Sequence, residues 1–224
     1  MSEMNVPVIT IDGPSGAGKG TIAQMLALDL QWNILDSGAL YRTLAYFMLE
    51  QNIGLNDFEK NKEYIKENFR VKFDPGIAGE PVKVIFNGND ITNKVRTEEI
   101  AKKTSDLATN PIIREFIKPC QRDFMTLPGL IADGRDMGTV IFRDAKHKIF
   151  LTASLEERVK RRKVQLKRQG SEVNMRLLLQ ELEDRDKKDI ERKHSPLKPA
   201  INSVIIDTSN LRPEGVVEEI KKNL

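Results

Sequence analysis

The stretch VITIDGPSGAGKGTIAQMLA, residues 8–27, joins a run of β-branched residues to a glycine-rich loop and a helical pattern. Its centre, GPSGAGKGT (13–21), nearly matches a phosphate-binding loop, in which two glycines separated by four residues precede lysine and then serine or threonine. Here Gly20 stands between Lys19 and Thr21. Backbone N–H groups of such a loop, and of the helix that follows, bind phosphate oxygens. We therefore predict a bound nucleoside triphosphate, held by Gly13, Pro14, Ser15, Gly16, Ala17, Gly18, Lys19, Gly20 and Thr21.

Length and composition predict one compact domain. The chain has 224 residues, of which 39% are hydrophobic, so it can bury a full core. Charged residues make up 31%, but the net charge is only +3, which argues against a dedicated nucleic-acid binder. The single cysteine, Cys120, allows no internal disulfide and is typical of a small buried side chain in a reducing compartment. The start, MSEMNVP, does not resemble a secretory signal, and no apolar run approaches the length of a membrane span, so we expect a cytoplasmic protein.

Short buried strands alternate with helices along most of the chain. The strand patterns lie at 6–12, 33–36, 127–133, 148–153 and 204–208. This order predicts an α/β fold with a P-loop NTPase-type parallel sheet of about five strands, covered by helices on both faces. From 54 to 94 the composition shifts to Asn, Lys, Gly and Pro, and alternating segments predict exposed antiparallel strands in a small inserted subdomain.

The end of the glycine-rich loop separates two classes of nucleotide-binding protein. GKGT resembles the loop of nucleoside monophosphate kinases, whereas GTPases have GKS or GKT. A GTPase would also need an Asp-x-x-Gly motif, and no aspartate of this chain is followed by glycine three residues later. Neither Asn–Lys pair, at 61–62 or 93–94, has an aspartate two places after its lysine, as a guanine-reading loop requires. A molecular switch is therefore disfavoured.

Three arginine-bearing segments are candidates for a second substrate site. They are DSGALYR (36–42) and DGRDMGTVIFRDA (133–145), each after a strand, and DRDKKDIERKHSP (184–196), which sets arginines around a carboxylate on one helical face. Ligands collect at the carboxyl ends of strands in open α/β sheets, and a kinase for small phosphates needs cations between two polyanions. The plain structural alternatives are a helix capped by Ser37 with a solvated Arg42, an ordinary turn, and surface ion pairs.

Five motifs together resemble the bacterial cytidylate kinases. They are GPSGAGKGT, LDSGALYR, TSDLA, GLIADGRDMGTVIF and the RDxxDxxR helix, in the order and spacing of that family and over nearly the whole chain. The resemblance implies transfer of the γ-phosphoryl group of ATP, with Mg²⁺, to CMP or dCMP. It also implies that nine residues surround the monophosphate: Ser37, Arg42, Ser105, Arg114, Arg135, Asp136, Arg185, Asp189 and Arg192.

The chemistry of these residues agrees with that implication. Asp136 can accept a hydrogen bond from the exocyclic amine of cytosine, whereas uracil would present a carbonyl oxygen to it, and buried polar mismatches discriminate strongly. Lys19, Arg135 and Arg185 would stabilise the charge of the transferring group. Asp133, at the end of a strand, would hold Mg²⁺ through water. The sequence does not divide the phosphate and ribose roles among the arginines.

The basic stretch ERVKRRKVQLKR (157–168) has two interpretations. A basic helix could bind RNA or a membrane surface, but this one starts with an acid, is short and lacks aromatic residues. The family resemblance favours a short lid at 154–170 whose arginines, Arg158 and Arg162 or Arg161, close over the phosphates of ATP and exclude water. We therefore expect one cytidylate kinase domain at 1–224, with the core at 1–53, 96–153 and 171–224, the monophosphate-binding insert at 54–95 and this lid.

Two alternative functions stay open at this point. One is a kinase for another small acceptor such as UMP, and the other is a nucleotide-gated RNA-binding module that uses the basic stretch. The second would show RNA affinity with a steep salt dependence. Our expectation is a monomer that has ATP and CMP or dCMP as partners, and neither nucleic acid nor membrane.

Overall fold

The computed structural model describes residues 6–168 and 173–224. Its strands and helices, in chain order, are β1 (Val8–Asp12), α1 (Lys19–Leu30), β2 (Asn33–Asp36), α2 (Ser37–Glu50), α3 (Phe58–Asn68), β3 (Val71–Asp74), β4 (Lys83–Phe86), β5 (Asn89–Asp90), α4 (Glu98–Leu107), α5 (Pro111–Arg122), β6 (Leu130–Gly134), β7 (His147–Thr152), α6 (Leu155–Arg168), α7 (Met175–Glu191), β8 (Val204–Asp207) and α8 (Pro213–Lys221). A π-helical turn, Met137–Ile141, follows β6. Within the described ranges, none of these helices has both the length and the apolar character needed to cross a bilayer.

The central sheet has five parallel strands in the order β2–β6–β1–β7–β8. All five residues of β1, in the middle of the sheet, are buried, as expected for a β-branched run in a parallel sheet covered on both faces. The register pairs Asp12 with Gly134 and Asp36 with Asp133. The predicted sheet is confirmed, and three aspartates that end neighbouring strands lie at the same edge as the glycine-rich loop.

Helices cover both faces of this sheet, because successive residues of a strand point to opposite sides. On one side Ile11 packs in a cluster with Leu26 of α1 and Val217 of α8. On the other side Val8 belongs to a larger cluster that includes Leu44 of α2. The two cores fix α1 and α2, whose N-termini carry the loop and the first arginine segment, against the same sheet.

The segment between α2 and α4 contains α3 and a separate antiparallel sheet, β3–β4–β5. The predicted antiparallel strands are confirmed. The expectation that they are exposed is wrong for β4, because Val84 and Phe86 are buried in the larger cluster. Helix α3 was not predicted, although Phe58 and Ile65, seven residues apart, lie on the one helical face that it buries.

Helices α6 and α7 pack against each other through a small apolar core of their own, made of Val159, Leu166, Leu178 and Leu182. Helix α6 ends at Arg168, so the predicted lid at 154–170 is described only up to that residue. Residues 169–170 of the lid, 171–172 of the predicted core and 1–5 lie outside the described residues.

Candidate active site

The glycine-rich loop connects β1 to α1 at the carboxyl edge of the sheet. Gly13 passes so close to β7 that a Cβ on it would lie 2.1 Å from the Leu151 carbonyl oxygen. Gly18 has φ of +91°, a conformation that favours glycine. Helix α1 then begins at Lys19 with no side-chain cap on its first N–H groups. These N–H groups, at the positive end of the helix dipole, are therefore available to an anion.

Lys19 is buried within this loop. Its side chain is only 6% exposed, and Nζ donates a hydrogen bond to the Pro14 carbonyl oxygen at 2.9 Å. Burial, followed by the positive charge of Arg135, lowers the pKa of Lys19 to about 8. An anion beside Nζ would raise that pKa again. The ammonium would therefore be stabilised by a bound triphosphate.

Asp133 lies in the last two residues of β6, beside the start of α1. A Cβ added to Gly20 would lie 3.5 Å from Asp133 Oδ2, so the carboxylate borders the first turn of the helix. Burial raises the pKa of Asp133 to about 7, an effect that Lys19 opposes and Asp36 reinforces. In the part of the chain that the structure describes, no three His, Cys, Asp or Glu side chains form a metal cluster. A single buried carboxylate nevertheless fits a hydrated Mg²⁺ whose other ligands are phosphate oxygens and water.

Helix α2 brings Ser37 and Arg42 to the sheet edge. Asp36, not Ser37, caps the helix, because its Oδ1 accepts the backbone N–H three residues on at 2.8 Å. The alternative in which Ser37 caps the helix is therefore wrong, since β2 ends at Asp36 and α2 begins at Ser37. Ser37 Oγ instead accepts a hydrogen bond from Gln121 Nε2 at 2.8 Å. Arg42 donates to the Val95 carbonyl oxygen at 3.3 Å, and burial lowers its pKa.

The segment after β6 pairs Arg135 and Asp136 with two different helices. Arg135 Nε donates to Asp189 Oδ2 of α7 at 2.9 Å. Asp136 Oδ2 accepts from Arg114 Nη2 of α5 at 2.5 Å. The second pair is buried, with Asp136 only 3% and Arg114 only 8% exposed. The guanidinium and the carboxylate thus form an ion pair that is nearly closed to solvent.

Helix α7 and Arg192, the residue that follows it, supply the remaining charged side chains of the site. Arg192 Nη1 lies 3.6 Å from Asp189 Oδ1, so Asp189 stands between Arg135 and Arg192. Burial raises the pKa of Asp189, but the two arginines outweigh it and hold that pKa below its ordinary value. Burial, followed by the charge of Arg135, lowers the pKa of Arg185 to about 10. Positive charge is thus in excess here, which favours a bound anion.

Two cavities lie among these residues. A cavity of about 40 Å³ is lined by side chains of α4 and α7, among them Ser105, Arg185, Asp189 and Arg192. A larger one of about 360 Å³ is lined by residues that include Tyr41, Arg114, Gln121 and Asp136. The structure thus brings six of the nine residues predicted for the monophosphate to two cavities, and Arg135 to the ion pair with Asp189. Ser37 and Arg42 do not line either cavity. Ser37 is hydrogen-bonded to Gln121, and the positive charge of Arg135 contributes to the lowered pKa of Arg42.

The basic residues of α6 differ in what they contact. Arg158 Nη1 donates to the Ser15 carbonyl oxygen of the glycine-rich loop at 3.2 Å and also pairs with Asp186 of α7. Arg161 Nη1 donates to Thr208 Oγ1 at 2.9 Å, and Thr208 Oγ1 contacts the Ala17 carbonyl oxygen at 3.0 Å. Arg158 and Arg161 therefore already join α6 to the loop.

Arg162 makes no such link to the loop. Its Nη1 donates to Gln165 of the same helix at 2.9 Å. Its charge lowers the pKa of Arg42 and of Arg185, after larger effects of burial. The side chain that was predicted to contact ATP thus lies beside the arginines that were predicted for the acceptor.

Three residues that take part in the site were not predicted. Asp12 accepts the backbone N–H groups of Met137 and Gly138, each at 2.8 Å, which fixes the turn after Asp136 to β1. The other two are Asp186, the partner of Arg158, and Gln121, the partner of Ser37. Asp12 had a sequence signal, because it ends a buried strand immediately before the loop. Asp186 and Gln121 had no such sequence signal, because their contacts join residues that are distant in sequence.

A glycine-rich loop between the central strand and its helix, with buried cations around one sheet edge, defines a P-loop phosphotransferase. Residues 9–224 match the family model described as cytidylate kinase, and the chain belongs to that family of nucleoside monophosphate kinases. The predicted resemblance is thereby confirmed.

Individual relatives agree with this assignment. The cytidylate kinase of Shewanella oneidensis is 48% identical over 97% of this chain and 94% of the relative. That of Shewanella baltica strain OS155 is 50% identical over 93% and 90%, and that of Stutzerimonas stutzeri is 46% identical over 96% and 93%. Among solved structures, the shikimate kinase of Bacteroides thetaiotaomicron is 14% identical over 97% of this chain and 98% of that chain, with a TM-score of 0.45.

Proposed function

We propose that this chain transfers the γ-phosphoryl group of ATP to CMP or dCMP, giving ADP and CDP or dCDP. The observation that carries the proposal is the buried pair of Arg114 and Asp136, 2.5 Å apart, on a 360 Å³ cavity. Family membership supplies the reaction class, and this pair supplies the means of reading the base.

The triphosphate is bound by the loop at 13–21. The N–H groups of the loop and of the first turn of α1 face the phosphate oxygens, and Lys19 supplies a fixed positive charge. Asp133 would hold Mg²⁺, through water, beside the same turn, and the ion would offset negative charge on the phosphates. Arg158 and Arg161 hold α6 against the loop, which excludes water from the transferring group.

The acceptor phosphate is bound by the excess positive charge of Arg42, Arg135, Arg185 and Arg192. The low pKa of Arg185 supports this assignment, because a dianionic phosphate would relieve the repulsion between Arg185 and Arg135. An acceptor phosphate is already anionic, so the transfer requires no general base. Lys19, Arg135 and Arg185 act catalytically by stabilising the charge that is shared between the two nucleotides in the transition state.

Base selection follows from the charge of Asp136. The hydrogen bond from Arg114 uses Oδ2 and fixes the carboxylate, and Oδ1 then accepts from the exocyclic amine of cytosine. Uracil would place a carbonyl oxygen against the same carboxylate and leave both unpaired. A lost hydrogen bond to a charged group corresponds to a difference of at least about tenfold in kcat/KM. Ser105 and Arg114 complete the base site.

Different segments of the chain serve the two substrates. The segment 54–95 acts as a monophosphate-binding insert, and 154–170 acts as a short lid over the ATP phosphates. The core at 1–53, 96–153 and 171–224 carries both substrates within a single domain. We propose that a monomer suffices, because both sets of ligands come from one chain, and that nucleic acid is not a partner.

A coupled assay of ATP consumption across CMP, dCMP, UMP and AMP tests this function. We expect CMP and dCMP to exceed UMP by at least about tenfold in kcat/KM. The variant Asp136→Asn should lose most of that preference, whereas Asp144→Asn, an exposed aspartate eight residues on, should keep it. A preference for UMP or AMP, or ATP consumption that does not depend on any monophosphate, would reject the proposal.

A further inference from the structure

Gln121 and Ser37 form a buried hydrogen bond between two helices of the site. Gln121 lies in the last turn of α5 and Ser37 is the first residue of α2. Gln121 is 2% and Ser37 is 5% exposed, and Nε2 donates to Oγ at 2.8 Å. Gln121 also lines the 360 Å³ cavity together with Arg114 and Asp136. The hydroxyl is therefore bonded to a residue that borders the cavity of the Arg114–Asp136 pair.

The direction of this hydrogen bond determines what the hydroxyl can do next. A serine hydroxyl has one hydrogen to donate and two lone pairs to accept with. Gln121 occupies a lone pair, and Asp36 performs the capping role that Ser37 could otherwise take. Among the described residues, the hydroxyl donates to no protein acceptor within hydrogen-bond distance. Its hydrogen is left for a ligand that presents an acceptor oxygen.

We propose that Gln121 is a positioning residue that fixes Ser37 Oγ as a hydrogen-bond donor to an oxygen of the acceptor nucleotide, in the first place its anionic phosphate. The inference rests on the proposed function, since it assigns a partner to a residue of the acceptor site. An anion can only accept hydrogen bonds, so a donor that cannot rotate to present a lone pair binds it better than a free hydroxyl does.

The variant Gln121→Glu tests the direction of the bond with almost no change in shape. A carboxylate would accept the Ser37 hydrogen and turn the hydroxyl's lone pairs toward the phosphate. We expect KM for CMP to rise at least about tenfold, with KM for ATP within about twofold of its original value. The exposed substitution Gln51→Glu adds the same charge outside the site and should change neither constant. The loss relative to the unmodified enzyme should shrink as the pH falls, because the introduced carboxyl group, once protonated, can donate as the glutamine amide does.

A double-mutant cycle with Ser37→Ala separates positioning from a structural effect. If Gln121 acts through Ser37, Gln121→Glu should raise KM for CMP no further in the Ser37→Ala background. Should Gln121→Glu fail to fold, as judged by circular dichroism, Gln121→Met replaces it in the same cycle, with an expected rise of a few fold that also disappears in that background.

The outcomes of this experiment are distinct from those of the coupled assay across CMP, dCMP, UMP and AMP. An equal penalty in both backgrounds, or a folded Gln121→Glu variant whose KM for CMP stays within about twofold of the original value, overturns the inference and leaves phosphorylation of CMP intact. A Ser37→Ala variant with unchanged KM for CMP does the same. Failure of the unmodified enzyme to phosphorylate CMP rejects the proposed function itself.

Discussion

Replacing Asp12 with asparagine should make the protein's stability less sensitive to pH, although it removes one of the two hydrogen bonds that Asp12 accepts. Asp12 is 2% exposed, and each of its oxygens accepts a backbone N–H at 2.8 Å. Burial is the larger influence and raises the pKa of Asp12 from 3.8 to about 6. The folded protein therefore binds the proton more tightly than the unfolded chain does. Asparagine has the shape of the protonated acid and does not ionise, but its single oxygen can accept only one of the two backbone N–H groups.

The magnitude follows from the two pKa values. A carboxyl group whose pKa is raised on folding contributes stability below the unfolded value of 3.8, and that contribution is lost as the pH rises through about 6. At about 1.4 kcal/mol for each pKa unit, the full loss is about 3 kcal/mol. About 2 kcal/mol of it falls between about pH 4.5 and pH 7.5. Asp12→Asn escapes this loss, so its free energy of unfolding minus that of the unmodified protein should rise with pH by this amount, from a starting value lowered by the lost hydrogen bond.

Urea unfolding followed by circular dichroism at a series of pH values measures the effect. The quantity of interest is the free energy of unfolding of Asp12→Asn minus that of the unmodified protein. The exposed substitution Asp144→Asn provides the matched control, for which we expect a difference near zero at every pH. A difference for Asp12→Asn that is constant with pH, or that falls as the pH rises, would refute the assignment of a raised pKa to this buried carboxyl.

Two further predictions follow from buried polar side chains on α1. Lys19→Met keeps the length of the side chain but removes its charge, so turnover in the coupled assay should fall at least about a hundredfold. The melting temperature should stay the same or rise, because the substitution removes a desolvated ammonium. Turnover within about tenfold of the original value would contradict the phosphate role. Gln24→Leu removes the Nε2 hydrogen bonds to the carbonyl oxygens of Pro75, Ile77 and Glu80, at 2.5, 3.1 and 2.8 Å. It should lower the free energy of unfolding by about 1–3 kcal/mol and raise hydrogen exchange in the loop before β4, whereas unchanged exchange there would show that other contacts hold the loop.

The sequence predicted those parts of the fold that depend on local pattern. The β-branched run at 8–12, the glycines of the loop and the alternation of strands and helices each carry their own signal, and the parallel sheet followed from them. Helix α3 was missed because its segment is polar except at Phe58, Tyr64 and Ile65, and the two of these that are buried, Phe58 and Ile65, pack into the larger core. The prediction that β4 is exposed was wrong for the same reason, since the insert packs against α2 and does not extend into solvent.

The candidate site was predictable where function requires a residue type at a fixed place along one segment. Lys19, Arg135 and Asp136 are of this kind. The partners that orient such residues were not predictable, because they are chosen by tertiary contact: Gln121 meets Ser37 across 84 residues of sequence, and Asp12 meets Met137 across 125. Ser37 was a possible cap of α2, but Asp36 is the cap. Two neighbouring residues could each cap α2, and the end of β2 decides between them.

In the proposed mechanism, the buried Arg114–Asp136 pair binds cytosine, while Arg42, Arg135 and Arg185 bind the phosphate of CMP. A crystal structure of the protein with CMP and a non-hydrolysable ATP analogue tests it most directly. We expect the cytosine amine within hydrogen-bond distance of Asp136, the CMP phosphate among Arg42, Arg135 and Arg185, and the triphosphate on the loop at 13–21. A cytosine that contacts neither Asp136 nor Arg114, or a CMP phosphate bound away from those arginines, would contradict it.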